Sequence, residues 1–202
     1  ISVEQLKAAI RKGTINRTFV PFVMGSARHN QGVQPLIDAV IDYLPCPTDI
    51  PAASGIHIKK DKEEGVEVPR DVSKPALGLV FKIQYDREMG SLCYVRMYSG
   101  KISAGTQVLN INKKKRERVN RILRMHADKS EPLNEVCVGD IAVFVGLKLA
   151  QTGDSVGSEG FPVLLEKPVF PQPVISVSLE PESMSERDKM NDTLQILSKE
   201  DP

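Results

Sequence analysis

The sequence of 202 residues lacks the features that mark several large classes of protein. Its three cysteines, Cys46, Cys93 and Cys137, show no C-x-x-C spacing, which argues against a disulfide framework or a zinc site and fits a reduced, cytoplasmic protein. No window approaches the run of about 18 apolar residues that a membrane-spanning helix needs, and the N-terminus has no signal-peptide pattern. We therefore expect no membrane partner.

Motifs of common enzyme sites are missing as well. None of the histidines, His29, His57 and His126, is spaced with cysteine or carboxylate in a metal-ligand pattern, and neither G-x-S-x-G nor H-E-x-x-H occurs. There is also no G-x-x-x-x-G-K-[ST] phosphate-binding loop. The sequence predicts no catalytic residue and no metal site, and we expect this chain alone to be inactive as an enzyme.

The first part of the chain has the helix, strand and helix pattern of an α/β domain. Ser2 and Gln5 predict a capping box, and Gly13 predicts the end of the first helix. The apolar run 19–24 predicts a strand covered on both faces, although Pro21 disfavours a central position. Apolar residues at helical spacing over 33–44 predict a second helix.

The remainder of the chain predicts a linker, a barrel and the start of a further domain. Residues 48–74 have the Pro-, Gly- and charge-rich composition of a linker. Short apolar runs between turn signals over 75–170 predict an antiparallel barrel or sandwich, with 119–126 read as a strand. From 171, strict alternation over 174–179 predicts a half-buried strand, followed by a helix with a capping box at Ser185 and Asp188.

Two sets of residues could bind a ligand. The loop Gly25-Ser26-Ala27 lies between the predicted strand and helix, where small residues let backbone N–H groups approach a planar base; a plain tight turn is the alternative. Residues 113–124 hold seven basic side chains and one acidic in a chain of net charge +1. This local +6 favours a polyanion, and the absence of aromatics favours a contact with the backbone or shape of a duplex over stacking on unpaired bases. A solvated surface hairpin is the alternative.

Many short motifs follow one another along the chain. The first set contains Gly25-Ser26-Ala27, Asn30, Gly32-Val33-Gln34-Pro35-Leu36 and Asp42-Tyr43-Leu44-Pro45. The second set includes Arg96-Met97-Tyr98-Ser99-Gly100, Lys115-Arg116-Glu117-Arg118, Gly139-Asp140-Ile141-Ala142 and Thr152-Gly153-Asp154. The third set includes Pro173-Val174-Ile175-Ser176-Val177 and Asp188-Lys189-Met190. Together the three sets resemble, in this order, the end of the GTP-binding domain, the second domain and the start of the third domain of the translation elongation factor G family.

The resemblance implies a multidomain, ribosome-dependent GTPase that moves tRNA and mRNA through the ribosome. It implies the C-terminal α/β part of a P-loop GTP-binding domain at 1–47, a linker at 48–74, the β-barrel second domain at 75–170, and at 171–202 the first β-α unit of a ferredoxin-like α+β domain. Since the chain begins at Ile1 rather than Met, we expect it to be an excerpt of a longer protein, whose other residues bind GTP or GDP and Mg²⁺.

The same resemblance implies roles for particular residues. Ser26 and Ala27 match the last guanine-recognition motif of the family, where the backbone N–H of Ala27 donates to the base. For the basic cluster, the resemblance implies that the polyanion is the small-subunit ribosomal RNA. We expect a monomer that binds no DNA and holds no cofactor by itself. The predicted RNA-binding residues are Lys113, Lys114, Lys115, Arg116 and Arg118.

Three other functions stay open. A related factor specialised for ribosome recycling and a ribosomal protection protein would share the barrel and the start of the third domain. From a different class, a non-catalytic RNA-binding barrel would show the same basic cluster. A nucleotide-binding domain upstream of the barrel would discriminate against this last reading.

Overall fold

The computed structural model describes residues 1–59, 62–127, 129–171, 173–181 and 183–201. The chain divides into two compact units, Ile1–Pro51 and Ala52–Pro202. Among the described residues, no helix combines the length and the apolar character needed to span a membrane.

The first unit contains helix α1 (Val3–Ile15), a single 3₁₀ turn (Ala27–His29) and helix α2 (Val33–Tyr43). The predicted capping box is confirmed, because the Ser2 side chain accepts a hydrogen bond from the Gln5 backbone N–H and the Gln5 side chain accepts one from the Ser2 backbone N–H. The second helix is also confirmed, although none of its residues is buried within the unit. The ion pair of Lys7 with Asp42, at 2.6 Å, joins the two helices.

The prediction that Gly13 ends the first helix is wrong. Helix α1 continues to Ile15, and Arg17 adopts the left-handed backbone conformation at φ 57°. Gly13 is needed for a different reason: a Cβ atom at this position would overlap the ring of Phe19. The absence of a side chain therefore lets the following segment pack across the helix.

The predicted strand at residues 19–24 does not form. These residues form no β-ladder, and Phe22 and Met24 are exposed by 89% and 86%. The physical reason is that a strand needs a neighbour to satisfy its backbone groups, and residues 1–51, all of them described, contain no named strand.

The second unit is built on an antiparallel sheet of eight strands, and the predicted barrel is confirmed. The strand order is β7-β6-β12-β3-β4-β11-β8-β9, and β5 and β10 form a separate pair. Pairing registers are antiparallel throughout, for example Val80 opposite Val95 and Phe144 opposite Ile122. The strands are β1 (Ala53–Lys59), β2 (Lys62–Val68), β3 (Leu77–Asp86), β4 (Gly90–Ser99), β5 (Lys101–Ser103), β6 (Gln107–Asn110), β7 (Lys115–Arg118), β8 (Arg121–His126), β9 (Lys129–Leu133), β10 (Glu135–Cys137), β11 (Ile141–Val145), β12 (Ser155–Gly157) and β13 (Val163–Leu165).

The sheet encloses one main hydrophobic cluster. Val80, Val95, Ile122 and Phe144 come from four different strands and meet in this cluster, each at most 1% exposed. Strand β11 also buries Val143 and Val145 in a second cluster on its other face, beside Leu92 and Leu123. Burial on both faces explains why residues 141–147 read as a continuous apolar run.

The segment predicted as a linker contains regular structure. Strands β1 and β2 form an antiparallel hairpin, and β1 also pairs with β13, placing Gly55 opposite Leu165. Val68 is fully buried and packs with Leu77, Val163 and Leu165. The polar composition of the segment reflects the exposed side of the hairpin. The other side is buried only because β1 pairs with β13, a strand about 100 residues further along the chain.

The C-terminal part of the described chain is a helix, and residues 173–181 before it have no regular secondary structure. The predicted strand at 174–179 does not form, because none of the described strands pairs with it; Ile175 and Val177 are each 80% exposed. Helix α3 (Met184–Glu200) begins after Ser183, which makes no side-chain cap, so the capping box predicted at Ser185 and Asp188 is wrong.

The cysteines differ enough in environment to test this fold. Burial and the nearby carboxylates of Glu117 and Asp154 raise the pKa of the Cys93 thiol to about 12, while Cys46 is exposed. We expect iodoacetamide at about pH 8 to alkylate Cys46 in the folded chain and to leave Cys93 unmodified until denaturant is added. Mass spectrometry of tryptic peptides measures both. Equal labelling of the two cysteines in the folded chain would contradict the buried position of Cys93.

Candidate functional site

The loop between residues 25 and 32 is closed by its own backbone. The Ser26 N–H donates to the Gln31 carbonyl at 2.9 Å, and the Gln31 N–H donates to the Ser26 carbonyl at 3.0 Å. Between them lies the 3₁₀ turn, followed by Asn30 in the left-handed conformation at φ 50°. Ala27 is the first residue of this turn, a position whose N–H has no acceptor inside the turn.

Two glycines let the loop pack backbone against backbone. Gly32 has φ 75°, and a Cβ atom there would lie 2.7 Å from the Met24 carbonyl oxygen and 2.9 Å from the Cα of Gly25. A Cβ atom on Gly25 would lie 2.8 Å from the Gln31 carbonyl oxygen. Neither position can carry a side chain without a shift of the backbone.

This packing leaves a small cavity of about 210 Å³. Pockets that bind drug-sized ligands have volumes from about 300 Å³ upward. Because this cavity is smaller, it suits only one edge of a planar ring. Ser26 is half-buried at its wall and Ala27 is exposed beside it. The cavity is lined by Val23, Met24, Gly25, Ser26, Ala27, Gln31, Gly32, Val33 and Leu36.

The predicted basic cluster lies on the hairpin of β6 and β7. The register places Asn110 opposite Lys115 and Leu109 opposite Arg116. Lys114 lies in the turn and adopts φ 53°, a left-handed conformation that is uncommon for a lysine. The hairpin thus brings all five predicted cations onto one short element.

The five cations are not equivalent. Lys113 is half-buried, its Nζ donates to the Leu149 carbonyl, and it lies 3.8 Å from a carboxylate oxygen of Asp154. Arg116 forms a two-pronged ion pair with Glu159, with one contact at 2.9 Å between Nη2 and Oε2.

By contrast, Lys114, Lys115 and Arg118 are exposed. Within the described ranges, the structure gives these three side chains no ion pair and no hydrogen bond.

A buried polar network lies beneath the hairpin. The Asn110 amide nitrogen donates to Asp154 at 2.9 Å and to Glu117 at 3.3 Å, and all three residues are at most 7% exposed. Glu117 also accepts from the Leu149 N–H at 2.6 Å, and Asp154 accepts from the Gln151 N–H at 2.9 Å. The network therefore ties the hairpin to the segment between β11 and β12.

Sequence reasoning did not identify this network as a support for the hairpin. The signal was available: Glu117 is the one acidic residue in the basic run, and Asp154 ends the Thr-Gly-Asp turn. Buried carboxylates of this kind are retained where donors satisfy them. Elsewhere in the described part of the chain, no three His, Cys, Asp or Glu side chains lie close enough together to hold a metal ion.

Comparisons with known proteins agree on one class, the elongation factors of translation. The family model described as elongation factor G domain 2 matches residues 75–159, and that of elongation factor G domain III matches residues 170–202. The chain is 61% identical over 98% of its length to elongation factor G 1 of Treponema denticola, and 58% identical over its whole length to elongation factor G 2 of Treponema pallidum.

The chain belongs to the elongation factor G family. It spans 29% of the length of each of these two relatives. A solved protein of Thermus thermophilus has the same fold over the whole chain, with a TM-score of 0.71 at 22% identity, and the chain covers 28% of that protein.

Replacing the central amide tests the buried network. We expect Asn110→Ala to lower the free energy of unfolding by about 1–3 kcal/mol, because two buried carboxylates lose a donor. Urea unfolding measures this, with the exposed Asn134→Ala as the matched control. A change no larger than that of Asn134→Ala would show that the network does not stabilise the barrel.

Proposed function

We propose that this chain is part of a ribosome-dependent translational GTPase that catalyses the GTP-driven translocation of tRNA and mRNA. The observation that carries the proposal is the 61% identity to an elongation factor G over 98% of the chain. The match covers 98% of the chain, so it extends over both the loop at residues 25–32 and the barrel. The protein would act in the cytoplasm, as a monomer and without DNA.

The proposal divides the chain at the boundaries that its sequence predicts. Residues 1–47 complete the GTP-binding domain, 75–170 form the second domain and 171–202 begin the third. Matches to the family models at 75–159 and 170–202 support the last two boundaries. In the structure, however, strand β1 of the intervening segment pairs with β2 and also with β13, which lies within 75–170, so we assign this hairpin to the second domain.

Guanine recognition is the role proposed for Ser26 and Ala27. The small cavity at this loop fits the edge of a planar base, and the N–H of Ala27 is a suitable donor to the guanine carbonyl oxygen. Ser26 holds the loop closed through its backbone bonds to Gln31. The sequence has no G-x-x-x-x-G-K-[ST] phosphate-binding loop, so the proposal places the groups that hold phosphates and Mg²⁺ elsewhere in the whole protein.

The small-subunit ribosomal RNA is the partner proposed for Lys113, Lys114, Lys115, Arg116 and Arg118. Their concentration on one exposed hairpin supports contact with a phosphate backbone, since Lys and Arg side chains that neutralise phosphates release counterions. No aromatic side chain lies between residues 113 and 118, which favours an RNA duplex over unpaired, stacked bases.

Translocation can be measured directly with the whole protein. We expect its addition with GTP to ribosomes carrying a pre-translocation complex to advance the mRNA by one codon, as measured by reverse-transcription stops. The same protein with GDP is the control. If the protein instead splits post-termination ribosomes and leaves the mRNA in place, the ribosome-recycling alternative is correct.

A single backbone change tests the guanine role. Ala27→Pro removes the N–H at the first position of a helical turn, where proline fits, and the extended Ser26 before it is compatible with proline. We expect this variant of the whole protein to bind GDP about tenfold or more weakly, because the base loses a hydrogen bond. Ala27→Ser keeps the N–H and is the control. Unchanged GDP affinity in Ala27→Pro would rule out the assignment, whether measured by calorimetry or by nucleotide fluorescence.

A further inference from the structure

The five cations of the hairpin differ in their intramolecular partners. We infer that only Lys114, Lys115 and Arg118 act as phosphate contacts, that Lys113 is a positioning residue, and that Glu159 competes with RNA for Arg116. The inference rests on the proposed RNA contact and deepens it. It changes the predicted contact set from five residues to three.

Contacts with the barrel keep the Lys113 side chain partly buried. Its ammonium group donates to the Leu149 carbonyl and lies near Asp154, and its backbone N–H donates to the Asn110 side-chain oxygen at 3.1 Å. Three contacts from one residue fix the start of the turn. A phosphate could gain this ammonium only by leaving Asp154, which is 6% exposed, without its cation.

These contacts also orient the residues that follow. Asn110 bonds both the backbone of Lys113 and the buried carboxylates, so the turn is anchored at the point where Lys114 enters the left-handed conformation. Lys114 and Lys115 are exposed, whereas Glu117 is buried beneath the hairpin. The buried network therefore determines which cations are presented to solvent.

Arg116 is neutralised by a different carboxylate. Glu159 follows strand β12 and binds the guanidinium through two contacts, in the arrangement that a phosphate would use. The pair is exposed and of low energy, so RNA could displace Glu159. Displacement would nevertheless leave the Glu159 carboxylate free to take up a cation from solution. This uptake offsets the release of one counterion from the RNA. A paired arginine therefore adds little to the salt dependence.

The salt dependence of binding separates these roles. The experiment titrates the chain against purified small ribosomal subunits at several KCl concentrations and determines the slope of log Kobs against log[KCl]. Each phosphate contact contributes about 0.7–0.9 to the magnitude of this slope. We expect Lys114→Ala, Lys115→Ala and Arg118→Ala each to reduce the magnitude by about that amount.

The paired cations should behave differently. Lys113→Ala should weaken binding at every salt concentration while changing the slope by less than half of one contact. Glu159→Gln frees Arg116 without altering the core, and we expect tighter binding and a slope steeper by up to about one contact, or 0.7–0.9. Lys101→Ala removes an exposed lysine paired with Glu135 on a different strand pair and is the charge-matched control. Thermal unfolding of each variant verifies that it is folded.

The outcomes distinguish the inference from the proposal beneath it. If the unmodified chain shows no salt-dependent binding to the subunits, the proposed RNA contact fails and the inference fails with it. If the chain binds but Lys113→Ala reduces the slope as much as Lys114→Ala does, the inference alone is overturned. An unchanged slope in a folded Glu159→Gln variant would likewise overturn the role of Glu159.

Discussion

The second unit depends on the pairing of backbone groups between strands. A strand leaves its N–H and C=O groups unsatisfied unless a neighbour lies beside it, so an apolar extended segment becomes a strand only where the fold supplies that neighbour. Strand β11 has neighbours on both sides, β4 and β8, and is buried on both faces. The apolar segments 19–24 and 174–179 have none among the described residues and stay exposed.

A second constraint acts where polar groups enter the barrel. Glu117 and Asp154 are nearly fully buried, and such charges are tolerated only with donors around them. The Asn110 amide and two backbone N–H groups supply those donors, which fixes the hairpin against the segment that precedes β12. One network thus stabilises the fold and sets the surface that a polyanion would meet.

The two candidate sites use different chemistry for different ligands. The loop at residues 25–32 offers backbone groups, held in place by Gly25 and Gly32, and suits a neutral, planar base whose edge needs directional hydrogen bonds. The hairpin offers long cationic side chains, which suit a phosphate backbone that is recognised by charge and shape.

The sequence by itself determined the local features of this protein. The capping box at Ser2 and Gln5, the helix over 33–43, the main barrel strands and the basic hairpin follow from spacing and turn residues, which act over a few positions. Collinear motifs were also sufficient to identify the family. Tertiary structure decided what depends on distant partners. Strand β13 pairs with β1 in the segment that reads as a linker, and Asp154 and Glu159 form ion pairs with Lys113 and Arg116. Pairing and ion-pair partners so far apart in the chain leave no periodic signal in the sequence.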